Sequence, residues 1–552
     1  MPNWLKDAVF YEIYPQSFYD SNGDGIGDIP GITEKLDYIR SLGCNALWLN
    51  PVYDSPFYDA GYDVRDYKKV APRYGSNEDL FRLFNEAHER DMRVILDLVP
   101  GHTSIDHPWF LEAKKAGTNS MSGRYIFSRT VWDIPPGYLW VSGTTERDGN
   151  FLVNFFSTQP ALNYGFHDIN DPGWQNPPDH PDCRATLEAL IDIIRFWLEN
   201  GADGFRVDMA DSLVKNDDEK VATAALWRKV RSMLDNEYPD AAMVSEWSCP
   251  ERAINNAGFH MDFYLDHVHN GYHSLFRKRE DGTNRCYVGK EAPGDIMAFI
   301  NDFVPNYEKI KGNGYISFLT CNHDTPRLTR YLEINEIKLA YALIFTMPGV
   351  PFLYYGDEIG MRFIEGLNSK EGGYNRTGTR TPMQWTRGKN LGFSDADPAA
   401  LYLPVDSGTG ALDSGAGALD NGAGALDSGA GAPTVQEQQE TPDSLLNTVK
   451  SLISLRRSYT DLNADGGFEV VHAQAGDPLF AYRRGSLLLL VNPSAEDAVL
   501  HKDMLHRDAP CETTQGSRVK LEDSRVIFTI GKTKAEKGQI ILSPQSFAVV
   551  VI

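Results

Sequence analysis

The chain has 552 residues, too many for one simple core, so we expect two or three domains. The formal net charge of −23 argues against nucleic acid and anionic membrane surfaces as partners, because phosphate would be repelled. Hydrophobic residues make up 42% of the chain, enough for a large core, yet no apolar run is long enough to span a bilayer.

The cysteines are sparse and far apart, with no CxxC pair, which is typical of reduced, mostly buried thiols. They are Cys44, Cys183, Cys249, Cys286, Cys321 and Cys511. The N-terminus runs directly into a predicted strand without an apolar signal segment. We therefore expect a soluble, cytoplasmic protein that is a monomer or a small homo-oligomer.

The first hundred residues alternate between strand and helix patterns. We predict strands over 8–14, 46–50 and 93–99, and helices over 32–42 and 77–90. This βαβ order predicts a parallel sheet, and the span fits eight repeats that close into a (β/α)₈ TIM barrel. Residues 1–104 would form the first part of this barrel.

The barrel pattern stops after His102-Thr103-Ser104. Residues 105–165 are rich in Trp, Gly, Ser and Pro, which predicts a small inserted domain after the third strand. A helical pattern from residue 185 to 200 resumes the barrel, which would continue over 166–461. Later barrel strands are predicted at 204–207, 262–265, 316–321 and 350–354.

Residues 406–433 contain a seven-residue repeat of the type ALDSGAG. Burial of so few large apolar side chains cannot offset the entropy cost of ordering, so a flexible loop is favoured over a coiled coil. Because the repeat follows the last barrel connection, we expect this loop to lie near the mouth of a pocket at that end. A closing helix is predicted over 444–457, and residues 462–552 are predicted to form an antiparallel β-sandwich domain.

Three acidic residues stand at the ends of predicted strands. Asp208 follows the strand 204–207, Glu246 follows Met243-Val244-Ser245, and Asp324 closes the stretch 316–324. A single Asp in such a place commonly caps the next helix. In a (β/α)₈ barrel, however, the carboxyl ends of the strands carry the active site. Three acids there indicate carboxylate-driven glycoside chemistry.

Several motifs resemble the signature regions of the α-amylase superfamily of glycoside hydrolases. They are Asp97-Leu98-Val99-Pro100-Gly101-His102, Gln159-Pro160-Ala161-Leu162-Asn163, the stretch 204–208, Glu246, Asn322-His323-Asp324 and Gly356-Asp357-Glu358-Ile359-Gly360. They occur in family order over nearly the whole chain. The resemblance implies a catalytic barrel, an inserted domain and a C-terminal β-domain.

The resemblance also implies the catalytic roles. Asp208 matches the nucleophile, Glu246 the acid/base and Asp324 the third carboxylate, which grips sugar hydroxyls. Arg206, two residues before Asp208 on the same strand face, would hold the nucleophile ionised. By the same resemblance, His102 and His323 match hydrogen-bond donors to the sugar in subsite −1.

Two further stretches concern substrate specificity. Tyr62 matches the aromatic platform under the −1 sugar. Arg380 opens an Arg-Thr-Pro-Met-Gln-Trp motif that resembles exo-acting α-glucosidases, sucrose isomerases and trehalose synthases. The resemblance implies that Asp59 and Arg380 meet across the pocket and bind a terminal glucose. A surface salt bridge with a Pro-containing turn is the alternative interpretation.

A metal site is also predicted. The run Asp20-Ser21-Asn22-Gly23-Asp24-Gly25-Ile26-Gly27-Asp28 places oxygen ligands at alternating positions, as in a calcium loop. Its resemblance to oligo-glucosidase relatives implies a structural Ca²⁺, or alternatively Mg²⁺. The residues that would bind the cation are Asp20, Asn22, Asp24, Ile26 and Asp28. An Asx/Gly turn without metal is the alternative.

These observations predict a retaining, exo-acting α-glucosidase for short malto- or isomalto-oligosaccharides or disaccharides. The alternative within the enzymes is a glucosyl-transferring isomerase, because residues 392–405 resemble trehalose synthases. A noncatalytic amylase-fold protein is the alternative from another class. The intact Asp208, Glu246 and Asp324 argue against it.

Overall fold

The computed structural model describes residues 1–265, 270–277, 286–291, 294–372, 376–406, 408, 431–501, 525–536 and 538–552. The repeat from 409 to 430 and Cys511 lie outside the described residues, and so does the predicted placement of the repeat near the pocket mouth. Cys44, Cys183, Cys249 and Cys321 are free thiols. Within the described ranges, no helix has the length and apolar character needed to cross a membrane.

Eight parallel strands close into a barrel. They are β1 (Phe10–Ile13), β2 (Ala46–Leu49), β3 (Arg93–Leu98), β4 (Gly204–Val207), β5 (Ala242–Ser245), β6 (Met261–Phe263), β7 (Tyr315–Leu319) and β8 (Val350–Tyr354). Each strand pairs with its sequence neighbours, and β1 pairs with β8 to complete the ring. The TIM barrel predicted from the sequence is therefore confirmed, with strand ends that differ by a few residues.

The helices surround the barrel or connect its strands. They are α1 (Ile29–Glu34), α2 (Leu36–Leu42), α3 (Asn77–Glu89), α4 (Pro108–Ala113), α5 (Pro181–Glu199), α6 (Val221–Glu237), α7 (His273–Phe276), α8 (Ile296–Ile310), α9 (Ile334–Thr346), α10 (Val435–Glu440) and α11 (Leu445–Ser458). Single 3₁₀ turns lie at Asn3–Asp7, Pro15–Ser17, Leu328–Arg330, Asp357–Ile359, Thr377–Thr379, Lys389–Gly392, Pro398–Ala400 and Thr460–Leu462, and a π-helical turn at Glu251–Asn256.

The barrel interior is filled by side chains from alternating strand positions. Phe10 of β1 stacks on Phe352 of β8 with ring centroids 4.2 Å apart, and Trp48 of β2 packs beside them. Such filling makes the barrel a packed core rather than a pore. Trp48 also donates from its indole N–H to Asp97 of β3 at 3.2 Å, so this core directly supports the polar residues above it.

The predicted helix over 32–42 is two helices in the structure. Asp28 caps α1 by accepting a hydrogen bond from the Gly31 N–H, so helical structure begins earlier than the apolar pattern indicated. The Thr33 hydroxyl bonds back to the Ile29 carbonyl, and Lys35 leaves helical geometry with ψ at 4°. Such local bonding competes with the helical ladder and ends the first segment.

Residues 105–165 contain α4 and a two-stranded antiparallel ribbon, Leu139–Val141 with Phe151–Val153. An isolated bridge between His102 and Ala161 connects this region to the segment after β3, and a bridge between Val153 and Pro160 joins the ribbon to the same part of the region. The boundaries at 104/105 and 165/166 stay predictions. The ribbon lies beside the carboxyl end of the barrel, where it can contribute to a pocket.

The C-terminal region forms two antiparallel sheets. Their strands are β9 (Glu469–His472), β10 (Phe480–Arg484), β11 (Leu487–Asn492), β12 (Ala498–His501), β13 (Arg525–Ile530), β14 (Thr533–Glu536), β15 (Gln539–Leu542) and β16 (Ser546–Val551). The sheet orders are β9-β10-β11-β16-β13 and β12-β15-β14.

Strand β11 is buried on both faces. Leu488 and Leu490 pack in the cluster between the two sheets, whereas Leu489 and Val491 belong to the cluster shared with the barrel. This alternation is the period of two expected for a strand, with both faces apolar. The C-terminal β-domain predicted from the sequence is thereby confirmed and is fixed to the barrel by burial.

Candidate active site

Two of the predicted catalytic acids stand side by side because of strand register. Val207 of β4 pairs with Ser245 of β5, so the next residues, Asp208 and Glu246, emerge at the same level. The backbone N–H of Met209 donates to the Glu246 carboxylate at 3.0 Å. Register in a parallel sheet therefore brings together two acids that are 38 positions apart in the chain.

Arg206 joins these acids into one cluster. One terminal nitrogen, Nη1, lies 2.9 Å from Asp97 and 3.0 Å from Asp208, and the other, Nη2, lies 2.8 Å from Glu246. The guanidinium is only 1% exposed. Three carboxyl groups around one buried cation leave an excess of negative charge, which favours retention of a proton by the cluster.

The pKa values in this cluster follow from burial and charge. Burial raises the pKa of the Asp208 carboxyl well above its ordinary value, against the opposing effect of Arg206. Burial likewise raises the pKa of Asp97, and Arg206 again opposes the rise. Arg206 is therefore the group that favours the ionised form of both carboxyls.

Asp324, after β7, lies in a second cluster with His323. The His323 Nε2 is 3.1 Å from Asp324 and 2.7 Å from the Tyr62 hydroxyl, and its Nδ1 is 2.8 Å from Glu12. Burial alone would lower the pKa of His323, but Asp324 and Glu12 outweigh it and raise the pKa to about 9. His323 is thus a charged donor in the neutral range.

Asp324 is held as a carboxylate. Burial would raise its pKa, but His323, Arg376 and Arg380 together hold that pKa well below the usual range. The Arg380 Nη2 lies 3.0 Å from Asp324, and the Arg376 guanidinium contacts the same carboxylate oxygen. The third acid is therefore held in its ionised form, in which both carboxylate oxygens can only accept hydrogen bonds.

The prediction that Asp59 and Arg380 contact each other is wrong. Asp59 instead pairs with Arg376 at 2.7 Å, and Arg376 bridges Asp59 and Asp324. Arg380 is directed to Asp324 and to Glu371, which lies at 2.7 Å, and it is only 2% exposed. The reason is the set of acceptors around Arg380: the His323 carbonyl accepts from its Nε at 2.8 Å, and Glu371 and Asp324 bind its terminal nitrogens.

The remaining predicted sugar contacts also lie at this end of the barrel. Tyr62 is buried, donates from its hydroxyl to Asp97 at 2.9 Å and stacks on His323 with centroids 5.4 Å apart. The Nε2 atom of His102 is buried and forms no hydrogen bond to any residue that the structure describes. Burial lowers the pKa of His102 to about 4, so the ring is neutral. An unpaired buried nitrogen suits a ligand hydroxyl.

Several residues of the site escaped the sequence analysis. The sequence patterns do not predict Glu12, Arg376 or Glu371 as site residues. They give Gln159 only as part of a motif, although its side-chain amide donates to Asp59 at 2.8 Å. One signal was available: Glu12 is an acid inside an otherwise apolar strand. Arg376 and Glu371 lie in an irregular segment, where sequence periodicity carries no information on spatial neighbours.

The predicted cation loop has mixed features. Asn22 and Asp24 each accept a backbone N–H two residues ahead, so their oxygens alternate along the loop as a calcium loop requires. Asp20 and Asp28, however, accept hydrogen bonds on both carboxylate oxygens. In the described part of the chain, no three acidic, His or Cys side chains converge on one point. The calcium site therefore stays a prediction.

Comparisons with known proteins identify the family of this chain. Residues 12–414 match the α-amylase catalytic domain family. The chain is 33% identical over 504 residues to the trehalose synthase/amylase TreS of Mycolicibacterium smegmatis, covering 84% of this chain and 78% of that protein. It is 30% identical over 568 residues to a probable oligo-1,6-glucosidase 2 of Bacillus subtilis, covering 90% and 92%.

Among solved structures, the isomaltulose synthase of Erwinia rhapontici superposes with a TM-score of 0.75 at 24% identity, covering 100% of this chain and 99% of that one. This likeness shows the fold. The barrel, the carboxylate site and the family match together define a glycoside hydrolase. The chain belongs to the α-amylase family.

Proposed function

We propose that the protein is a retaining, exo-acting α-glucosidase that removes the terminal non-reducing α-linked glucose from short malto- or isomalto-oligosaccharides or disaccharides. The observation that carries the proposal is the bridge from Asp59 through Arg376 to Asp324. These charged groups would bind the hydroxyls of a terminal glucose and block extension of the sugar chain beyond it. A long glucan could then enter only by its end.

The chemistry follows from the cluster around Arg206. Glu246 gives its proton to the glycosidic oxygen while Asp208 attacks the anomeric carbon, so the bond to the aglycone breaks as the glucosyl-enzyme bond forms. Glu246, now a carboxylate, takes a proton from water, and that water releases glucose from Asp208. Arg206 stabilises each carboxylate as the negative charge moves between them.

A second candidate is a glucosyl-transferring isomerase of the trehalose synthase or sucrose isomerase type. The observation that favours it is the 33% identity to a trehalose synthase/amylase over 504 residues. In that case the released sugar, rather than water, would attack the glucosyl-enzyme. The choice depends on the shape of the aglycone side, where Met209 follows the nucleophile with a positive φ of 43°.

Product analysis decides between these functions. Maltose, isomaltose, sucrose, trehalose, maltotriose and soluble starch would be incubated with the wild type and with Asp208→Asn as the blank. Glucose released singly from the short sugars, with starch nearly inert, supports the exo-α-glucosidase. A disaccharide isomer as the main product supports the isomerase. If the wild type turns over none of these sugars, both enzymatic functions are contradicted and the noncatalytic alternative is supported.

The two acid roles can be tested by azide rescue. Asp208→Ala with α-glucosyl fluoride and azide should yield β-glucosyl azide, because azide enters where the nucleophile was. Glu246→Ala should lose about 10²- to 10⁴-fold in kcat on maltose. It should lose much less on α-glucosyl fluoride, whose leaving group needs no proton, and azide should then yield the α-glucosyl azide. The opposite anomers would exchange the two roles.

A further inference from the structure

Glu371 is a buried carboxylate with a complete set of donors. Its Oε2 accepts from the Tyr14 hydroxyl at 2.7 Å and from Arg380 Nη1 at 2.7 Å. Its Oε1 accepts from the Tyr402 hydroxyl at 2.8 Å and from the Gln16 side-chain amide. The side chain is only 6% exposed. A buried charge is tolerated when it is paired and hydrogen-bonded in this way.

Arg380 stands between Glu371 and the catalytic side of the site. Its Nη1 binds Glu371, its Nη2 lies 3.0 Å from Asp324, and its Nε donates to the His323 carbonyl at 2.8 Å. The three contacts leave this planar guanidinium little freedom to rotate. Any shift of Glu371 would therefore be transmitted to Asp324.

Tyr402 and Tyr14 bind different carboxylate oxygens of Glu371. The Tyr402 N–H donates to the Gly25 carbonyl at 3.0 Å, and its carbonyl accepts from Lys370. Both backbone polar groups of Tyr402 are thus paired, and they anchor the residue that carries the phenol. Tyr402 belongs to the stretch 392–405, which the sequence analysis singled out and to which the catalytic steps assign no role.

We propose that Glu371 is a positioning residue of the active site. It binds Arg380 and thereby fixes the Asp324 carboxylate for subsite −1, and Tyr402 in turn fixes the position of Glu371. The proposal rests on the proposed function, since it concerns the same site. Loss of the Glu371 charge would free Arg380 to move onto Asp324. Asp324 would then be drawn away from the sugar hydroxyls that it has to bind.

The test compares Glu371→Gln and Tyr402→Phe with the wild type. Each protein is titrated with 5-fluoro-α-glucosyl fluoride, which traps Asp208 and counts working sites. We expect Glu371→Gln to retain the number of trapped sites while kcat per site falls about 10- to 100-fold, since small misplacements at a reacting centre cost about that much. Tyr402→Phe, which keeps the charge, should lose less.

Glu237→Gln is the matched control, because Glu237 pairs with Arg195 on the exposed outer face of the barrel helices. It should leave kcat unchanged. An unchanged kcat per site in Glu371→Gln, or a loss wholly explained by fewer trapped sites, overturns the positioning role. If Glu371→Gln fails to fold, an unchanged kcat per site in Tyr402→Phe overturns it.

Failure of the proposed function is recognised separately. If the wild type turns over no glucoside, that function is wrong, and binding of the glucose analogue 1-deoxynojirimycin decides the positioning role. Its affinity must then fall at least tenfold in Glu371→Gln. Equal affinity in the two proteins overturns the inference.

Discussion

At the scale of residues, single arginines in the site each bind more than one carboxyl group. Arg206 serves three carboxyl groups, and Arg376 serves two that come from distant parts of the chain, Asp59 and Asp324. A cation shared between acids lets each acid stay close to its neighbour without repulsion. The same sharing means that removal of one arginine affects every acid bound to it.

A double-mutant cycle tests the bridge between Asp59 and Arg376. Asp59→Ala and Arg376→Ala should each lower kcat/KM for maltose by about 10²-fold, because each removes one partner of a desolvated charge pair. The double variant should lose much less than the product of the two, with a coupling of about 0.5–3 kcal/mol. Purely additive losses would show that the pair does not act together.

At the scale of elements, the end of helix α9 joins the barrel to the C-terminal domain. Arg456 of α11 donates to the carbonyls of Phe345, Met347 and Gly349, and Arg484 of β10 donates to that of Thr346. The last carbonyls of a helix lack partners within it and carry partial negative charge. Two arginines from other elements supply these partners.

Loss of this connection should destabilise the fold without altering the chemistry. Burial, with a smaller contribution from Arg484, lowers the pKa of Arg456 to about 9, so its cation depends on those carbonyls. We expect Arg456→Met to lower the free energy of unfolding by about 2–4 kcal/mol. Urea denaturation measures this, with kcat per trapped site as the activity check.

The neighbouring Arg457 offers the matched control. It is exposed, and it donates to the Gly43 carbonyl at 3.1 Å. Arg457→Met should change the unfolding free energy by less than about 0.5 kcal/mol. Equal losses in the two variants would contradict the role given to the buried arginine.

The loop of residues 20–28 carries the metal prediction at this scale. We propose that it binds Ca²⁺, or Mg²⁺, because oxygen-bearing side chains alternate along it. Excess EDTA should then lower Tm. Ca²⁺ at a concentration of 100 Kd should raise the free energy of unfolding by about 2.7 kcal/mol over that of the metal-free protein. Asp24→Asn, which can still accept the Ile26 N–H, should lose most of this difference.

The outcome that would reject the cation is equally direct. If Tm is the same in EDTA, Ca²⁺ and Mg²⁺, the loop is an Asx-type turn held by its own hydrogen bonds. Thr33→Ala is a suitable control, since Thr33 bonds to Ile29 in the following helix and lies outside the loop. Its response to the two cations should equal that of the wild type.

For the molecule as a whole, the buried charges make stability depend on pH. The pKa of His323 is about 9 in the fold, raised by Asp324 and Glu12, against about 6.5 in an unfolded chain. Since the folded pKa is the higher one, the stabilisation is fully present below about pH 6.5 and is lost as the pH rises through about 9.

Unfolding in urea over pH 6 to 10 measures this effect. We expect the wild type to be more stable than His323→Gln at pH 6 and the difference to shrink steadily toward pH 10. His501→Gln, at the exposed end of β12, is the control and should give a constant difference from the wild type. A difference for His323→Gln that stays constant with pH would contradict a charged His323.

The sequence by itself determined the barrel, the C-terminal sheets and the positions of the acids at strand ends. These follow from local periodicity and from motif order, which need no knowledge of long-range neighbours. Asp208 and Glu246 each follow a strand directly, so the register of β4 and β5 was enough to bring them together.

Only the tertiary structure decided which arginine binds Asp59. Arg376 and Arg380 are four residues apart in an irregular segment, and either could have reached the pocket as far as the sequence showed. The His323 carbonyl and the Glu371 carboxylate hold Arg380, and Arg376 pairs with Asp59 instead. Such a choice depends on packing between segments far apart in the chain, and no local pattern encodes it.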